Sequence, residues 1–220
     1  MSEHHDHDHD HPHPHRHPPQ PDSDAPLTEH QRLEIAVREL LIAKGVFGSD
    51  DVRRMVEKFD TQTPVLGGKV VARAWLDPAY KQRLLADGTA AVKELGIDME
   101  HTKLVVVENT PAVHNLIVCT LCSCYPRPVL GFPPDWYKSR AYRSRAVREP
   151  RAVLQEFGTS LPAGVTVRVH DSTADMRYLV LPERPAGTED WDEAALAELV
   201  TRDSMIGVTQ VQPPATAAVS

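Results

Sequence analysis

No stretch of this chain approaches the roughly 18 uninterrupted apolar residues that a membrane-spanning helix needs, so a helical membrane protein is not expected. An excess of basic charge is missing too. Lys and Arg number 24 against 31 Asp and Glu, a formal charge of −7. Residues 1–26 hold six of those acids against Arg16 alone. The nearly neutral remainder has no general electrostatic reason to bind nucleic acid or an anionic membrane. The first residues are His and Asp where a secretory signal would place a basic patch and an apolar run, so the expected location is the cytoplasm. There is no internal repeat and no glycine-rich phosphate loop. Cysteine is scarce: three occur, an odd number within six consecutive residues, which cannot make a disulfide framework. What is present is the composition of a soluble globular protein, 41% hydrophobic and 25% charged over 220 residues, enough for one domain with appendages and a real core.

Eight of the twelve histidines lie between His4 and His17, interleaved with Asp, Pro and Arg, and six prolines precede Leu27. Such a segment has nothing with which to build a core, and residues 1–26 are expected to be a disordered His-rich tail. Neutral imidazoles beside carboxylates chelate divalent cobalt, nickel or zinc, so the tail reads either as a metal-gathering segment or as solvated low complexity.

Thr28 and Gln31 have the spacing of a capping box, and Leu33, Ala36, Val37, Leu40 and Leu41 follow at helical spacing until Gly45. Val52, Met55, Val56 and Phe59 repeat the pattern after Ser49, Asp50 and Asp51. The two helices predict a hairpin, a helical arm over 27–62 set off by the turn-rich stretch 61–68. Asp77 before Pro78 opens a helix that Gly88 closes, 89–95 forms another, Glu149 before Pro150 starts one that ends near Gly158, and 191–200 is read as the last helix. Apolar runs at 103–107 and 116–118, the alternation Val165, Val167, Val169, and residues 177–181 read as strands. The order predicts an α+β fold: the arm, then a layered α/β domain over 63–210, then a flexible C-terminus over 211–220.

The cysteines fall in Cys119-Thr120-Leu121-Cys122-Ser123-Cys124, the spacing C-x2-C-x-C. In a cytosolic chain this points to metal or redox chemistry. A structural zinc site would need a fourth ligand, for which His101, His114 or His170 could serve, and a cubane cluster would normally take four thiolates. A claw this short has another solution, because it also brings its own backbone nitrogens to a metal: three sulfurs and the amides of Ser123 and Cys124 make five ligands and leave the sixth position open.

The run Val118-Cys119-Thr120-Leu121-Cys122-Ser123-Cys124-Tyr125, continued by Pro126-Arg127-Pro128, resembles the metal-binding loop of the nitrile hydratase α subunit. The resemblance extends from Thr28 to about Gln210 and includes the stretches Trp136-Tyr137-Lys138-Ser139, Arg143-Ser144-Arg145 and Arg202-Asp203-Ser204-Met205-Ile206-Gly207. Thr after the first Cys and Tyr after the last look like the cobalt branch of that family. The resemblance implies a trivalent cobalt centre, one per chain, with Cys119 as axial thiolate, Cys122 and Cys124 as equatorial sulfurs oxidised to sulfinate and sulfenate, and the Ser123 and Cys124 amides completing the plane. It implies hydration of nitriles to amides with Cys124, Cys122 and Ser123 at the reacting centre, and activity only with a β subunit, in a heterodimer or heterotetramer. It also matches Asp171 and Asp175 to a pair of acids around the metal ligands, the second being usually Glu in the family; the alternative is that both are surface acids in a strand-end turn. Arg127, Lys138, Arg140, Arg143, Arg145, Arg148 and Arg151 either offset the charge of the claw and grip an acidic partner or form a solvated basic helix. A second enzymatic reading is the metal-bearing subunit of thiocyanate hydrolase, and a third, of another class, is a non-catalytic cobalt carrier.

Overall fold

The computed structural model of the protein describes residues 26–212, so the expectations for the tail and the extreme C-terminus lie outside the described residues. The chain divides between Val52 and Arg53 into two units. In the first, helix α1 (Glu29–Ala43) begins on the capping box: Thr28 accepts from the Gln31 amide, and Gln31 reaches back to the Thr28 amide. None of its residues is buried, and Leu33, Val37 and Leu40 stand exposed at i, i+4, i+7 spacing. Helix α2 (Ser49–Thr61) crosses the unit boundary.

The second unit continues with α3 (Pro64–Leu76), α4 (Pro78–Ala86), α5 (Gly88–Lys93), β1 (Lys103–Glu108), β2 (Val113–Val118), α6 (Arg127–Leu130), α7 (Asp135–Lys138), α8 (Arg140–Arg148), α9 (Pro150–Glu156), β3 (Thr166–Asp171), β4 (Met176–Leu181), α10 (Glu193–Leu199) and α11 (Arg202–Ile206). This is an α+β fold. Its strands form two parallel pairs, β1 with β4 in the register Lys103 to Met176, and β2 with β3 in the register Val113 to Thr166. Helices α4 and α5 cover β1, α8 and α9 cover β2 and β3, and α11 packs against both β2 and β4. Leu116, Ile117 and Val118 are fully buried or nearly so. At about 1.5–3 kcal/mol for each such side chain, burial on both faces holds β2 in the core and so places the point at which it delivers the cysteines. No described helix is long and apolar enough to cross a membrane.

Three local expectations are corrected. The stretch 61–68, read as turn-rich, contains the start of α3, where Pro64 sits in the first turn. Its fixed φ suits a helix start, and its missing N–H costs nothing there. Gly88, expected to close α4, is instead the first residue of α5, which Asp87 caps by accepting from the Ala90 amide. Helix α10 is followed by one more, α11, whose own capping box pairs Thr201 with Ser204. Gly207 ends α11 at φ +90°, and a Cβ there would lie 2.0 Å from the Asn115 carbonyl oxygen, so only glycine fits.

Candidate metal centre

Strand β2 ends at Val118 and the chain passes directly into the cysteine loop. Cys119 is buried, Cys124 half-buried and Cys122 exposed, and all three are free thiols. Their sulfurs converge, with 3.5 Å from Cys119 Sγ to Cys122 Sγ and 3.2 Å from Cys122 Sγ to Cys124 Sγ. The Cys122 amide points at Cys119 Sγ at 3.3 Å, and the amides of Ser123 and Cys124 help to lower the Cys122 thiol. The three sulfurs thus lie within 4.8 Å of one another, around one centre. Two sulfurs in adjacent positions of an octahedral ion, at a bond length of about 2.3 Å, lie about 3.3 Å apart; tetrahedral geometry spreads them to about 3.8 Å. The observed spacings fit the octahedral donor set.

The thiols share protons unequally. Hydrogen bonds from Cys124 and Cys119 lower the Cys122 thiol to about 7, whereas burial, helped by the hydrogen bond to Cys122, pushes Cys124 up to about 12. The exposed Cys122 is therefore the first to become a thiolate, and thiolate character and exposure together govern oxidation.

Three side chains hold the loop from outside. Asp171, the last residue of β3, accepts from the Thr120 amide at 2.9 Å and from the Thr120 hydroxyl at 2.5 Å. Arg143, on α8, donates to the Cys122 carbonyl at 2.9 Å and to the Thr120 carbonyl at 3.4 Å. Tyr137, on α7, donates to the Cys124 carbonyl at 2.8 Å. Tyr137 is buried in an aromatic cluster with Tyr125, Trp136 and Tyr142, and the Tyr142 hydroxyl donates to the Ile117 carbonyl at 2.6 Å, tying α8 to β2. Asp175 is exposed in the β3–β4 turn; its carbonyl accepts from the Lys103 amide, while its carboxylate reaches none of the claw residues.

A cleft of about 460 Å³ opens over Cys122, Ser123 and Cys124, and Arg127, Lys138 and Arg177 line it. The Arg127 guanidinium lies between the rings of Phe59 and Phe132, 4.5 and 4.3 Å from their centroids, which fixes it at the rim. The basic cluster of the sequence is therefore divided. Arg145 pairs with Glu149 and Glu156, Lys138 pairs with Asp135, Arg151 serves the carbonyls of Leu161, Pro162 and Val165, and Arg143 alone among them donates to the claw.

None of the three histidines weighed as a fourth ligand joins the sulfurs: among the described residues the metal-capable group is Cys119, Cys122 and Cys124. His114 and His170 belong to a network beneath the loop. The Asn115 amide hydrogens go to the Asn109 side-chain oxygen and the Glu108 carbonyl, which leaves Asn115 Oδ1 to accept from His170 Nε2 at 2.8 Å. His114 Nε2 donates to the Gly207 carbonyl at 2.7 Å. Sequence reasoning gave Tyr137 no role and left Arg143 in an undivided basic run. The signal available was their place in the two short stretches, 136–139 and 143–145, that follow the claw.

Residues 28–209 match the family described as nitrile hydratase, alpha chain. The low-molecular weight cobalt-containing nitrile hydratase subunit alpha of Rhodococcus rhodochrous is 53% identical over 184 residues, covering 83% of this chain and 89% of that one. The thiocyanate hydrolase subunit gamma of Thiobacillus thioparus is 45% identical over 205 residues, 86% of this chain and 84% of the relative. Among solved structures, a double mutant of Fe-type nitrile hydratase from Comamonas testosteroni Ni1 superposes with a TM-score of 0.78 at 43% identity, covering 87% of this chain and 97% of that one.

Proposed function

Because the chain belongs to the nitrile hydratase α-chain family, a family of enzyme subunits, we propose that it is the α subunit of a cobalt-type nitrile hydratase, which adds water to the nitrile carbon to give an amide. Cys119, Cys122 and Cys124, with the amide nitrogens of Ser123 and Cys124, would hold one trivalent cobalt ion per chain. When bound, the ion supplies Lewis acidity, polarising a nitrile or acidifying a water in the open position. The observation that carries this reading is the convergence of the three sulfurs, two pairs of them at octahedral spacing, with burial graded from Cys119 to Cys122.

That gradient supports the division of labour among the sulfurs. Cys119 is shielded and would stay a thiolate, while Cys122 and Cys124, which metal ligation would deprotonate despite the raised Cys124 thiol, would be open to oxidation, to sulfinate and sulfenate. Cys124 lines the cleft, and its sulfenate oxygen would either take a proton from the attacking water or itself attack the nitrile carbon. Three thiolates and two amidates around a trivalent ion sum to a formal charge of about −2, which needs nearby cations. Arg127, Lys138 and Arg177 bring positive charge to the cleft from this chain. The remaining walls come from a β subunit, for which the exposed Leu33, Val37 and Leu40 stripe of α1 offers an apolar docking face. The cytoplasm is the proposed location, and Asp171, which holds Thr120, is the proposed acid beside the ligands, while Asp175 fits the alternative of a surface acid in a strand-end turn.

The 45% identity with a thiocyanate hydrolase subunit supports a second reading, in which thiocyanate, also a C≡N compound, is the substrate. The complex with the β subunit, assayed on nitriles and on thiocyanate, separates the two: amide formation is expected, and carbonyl sulfide release without amide formation would overturn the nitrile reading. A cobalt carrier would instead hold exchangeable divalent cobalt and turn over neither substrate.

A further inference from the structure

The carbonyl that Arg143 holds at 2.9 Å belongs to the Cys122–Ser123 peptide, whose nitrogen is Ser123 N. That nitrogen lies in the loop between Cys122 and Cys124, whose sulfurs converge at 3.2 Å. When a peptide nitrogen becomes an anionic ligand, its charge is shared with the carbonyl oxygen of the same plane. A guanidinium on that oxygen therefore does two things: it sets the plane of the peptide, aiming the nitrogen at the metal, and it offsets the charge that the peptide carries once ligated. From the structure we infer that Arg143 is the positioning residue for the Ser123 amide ligand, an inference that rests on the metal reading above.

Three features separate Arg143 from an ordinary surface arginine. No carboxylate among the described residues pairs with it, whereas its neighbour Arg145 is held by Glu149 and Glu156, so its charge stands unopposed beside the claw. Its Nε is buried and has no partner among the described residues, so the guanidinium is committed to the loop through Nη1. It also works opposite Asp171: the carboxylate takes the amide and hydroxyl of Thr120 while the guanidinium takes the Thr120 carbonyl, and the loop is clamped between an anion and a cation. Arg143 lines a hollow with Thr120, Leu121, Arg140, Ser144 and Val147, apart from the cleft over Cys122, Ser123 and Cys124. It acts through the ligand and does not touch the substrate.

The test uses the complex with the β subunit, loaded with cobalt during production, and reads the rate of cobalt loss to a chelator, the sulfur-to-cobalt charge-transfer absorption and the steady-state constants. Outer partners of metal ligands typically contribute about 10–100-fold in affinity or activity. Arg143→Gln, which keeps a donor and loses the charge, should release cobalt at least tenfold faster, with a displaced absorption band and a lowered kcat at unchanged KM. Arg143→Lys, which keeps the charge, should stay within about threefold of wild type, below the range of such effects. Arg143→Met replaces Arg143→Gln if the latter does not assemble. Wild-type release and spectrum in the neutral variants, or release from Arg143→Lys as fast as from Arg143→Gln, would overturn the inference. A wild-type complex that holds no chelator-resistant cobalt would overturn the metal reading itself, and this control shows which of the two has failed.

Discussion

Asp171 pins the claw with one carboxylate, accepting from the Thr120 amide at 2.9 Å and from its hydroxyl at 2.5 Å. A hydrogen bond to a charged acceptor contributes about 1.5–3 kcal/mol; because both residues are exposed, water competes for the same donors and the pair together is assigned about 2–3 kcal/mol. Asp171→Ala removes both acceptors. The loop is then less often in its ligating arrangement by that free energy, and at about 1.4 kcal/mol for each factor of ten the retention of cobalt weakens about 30- to 150-fold. Asp171→Asn keeps one oxygen for the Thr120 amide and should lose about half of the free energy, roughly a fivefold to tenfold effect. Cobalt remaining after chelator dialysis of the complex gives the first reading, and hydrogen exchange of the Thr120 amide in the metal-free chain gives the second. Asp171→Ala with wild-type cobalt retention and wild-type protection at Thr120 would refute the reasoning.

Burial holds His114 and His170 below the ordinary imidazole range, so the unfolded chain binds their protons more readily than the folded one. Their contribution to stability is complete above the unfolded value of about 6.5 and is lost as pH falls from there through the lowered folded values; the fall in Tm below about pH 6.5 should be shallower in His114→Gln than in wild type. Gly207→Ala forces a Cβ to 2.0 Å from the Asn115 carbonyl oxygen at φ +90°, and should cost at least about 3 kcal/mol, a drop of about 6 °C or more by calorimetry. Cys119→Ser should fail chiefly by losing cobalt, because its buried sulfur serves binding, whereas Cys124→Ser should lose nearly all amide formation per bound cobalt. Substantial turnover by cobalt-loaded Cys124→Ser would remove the sulfenate from the mechanism.

The elements that sequence patterning locates are those whose periodicity is uninterrupted, such as α1 with its Thr28 cap or β2 with Leu116, Ile117 and Val118. Helix α3 escapes because Pro64, Gly67 and Gly68 look like breakers. In the fold the glycines are buried contact points, where a Cβ on Gly67 would meet the Met205 sulfur at 2.6 Å and one on Gly68 the Ala197 carbonyl at 2.8 Å. Close approach from α10 and α11, more than 120 residues on, leaves no local trace. The claw is legible because its cysteines lie within six consecutive residues and their spacing alone brings the sulfurs together. Its supports come from β3, α7 and α8, so Asp171 is reached only through the family resemblance, and Arg143 cannot be told from Arg145 until the fold aims one at the Cys122 carbonyl and the other at Glu149 and Glu156.

On the metal reading, an oxidised three-cysteine claw is the working centre of the enzyme. The mass of the proteolytic peptide containing Cys119, Cys122 and Cys124, taken from catalytically active complex with any sulfenate chemically trapped, tests this most directly. The expected masses show a sulfinate at Cys122, a trapped sulfenate at Cys124 and an unmodified thiol at Cys119. Three unmodified thiols in protein that converts nitrile to amide would contradict it.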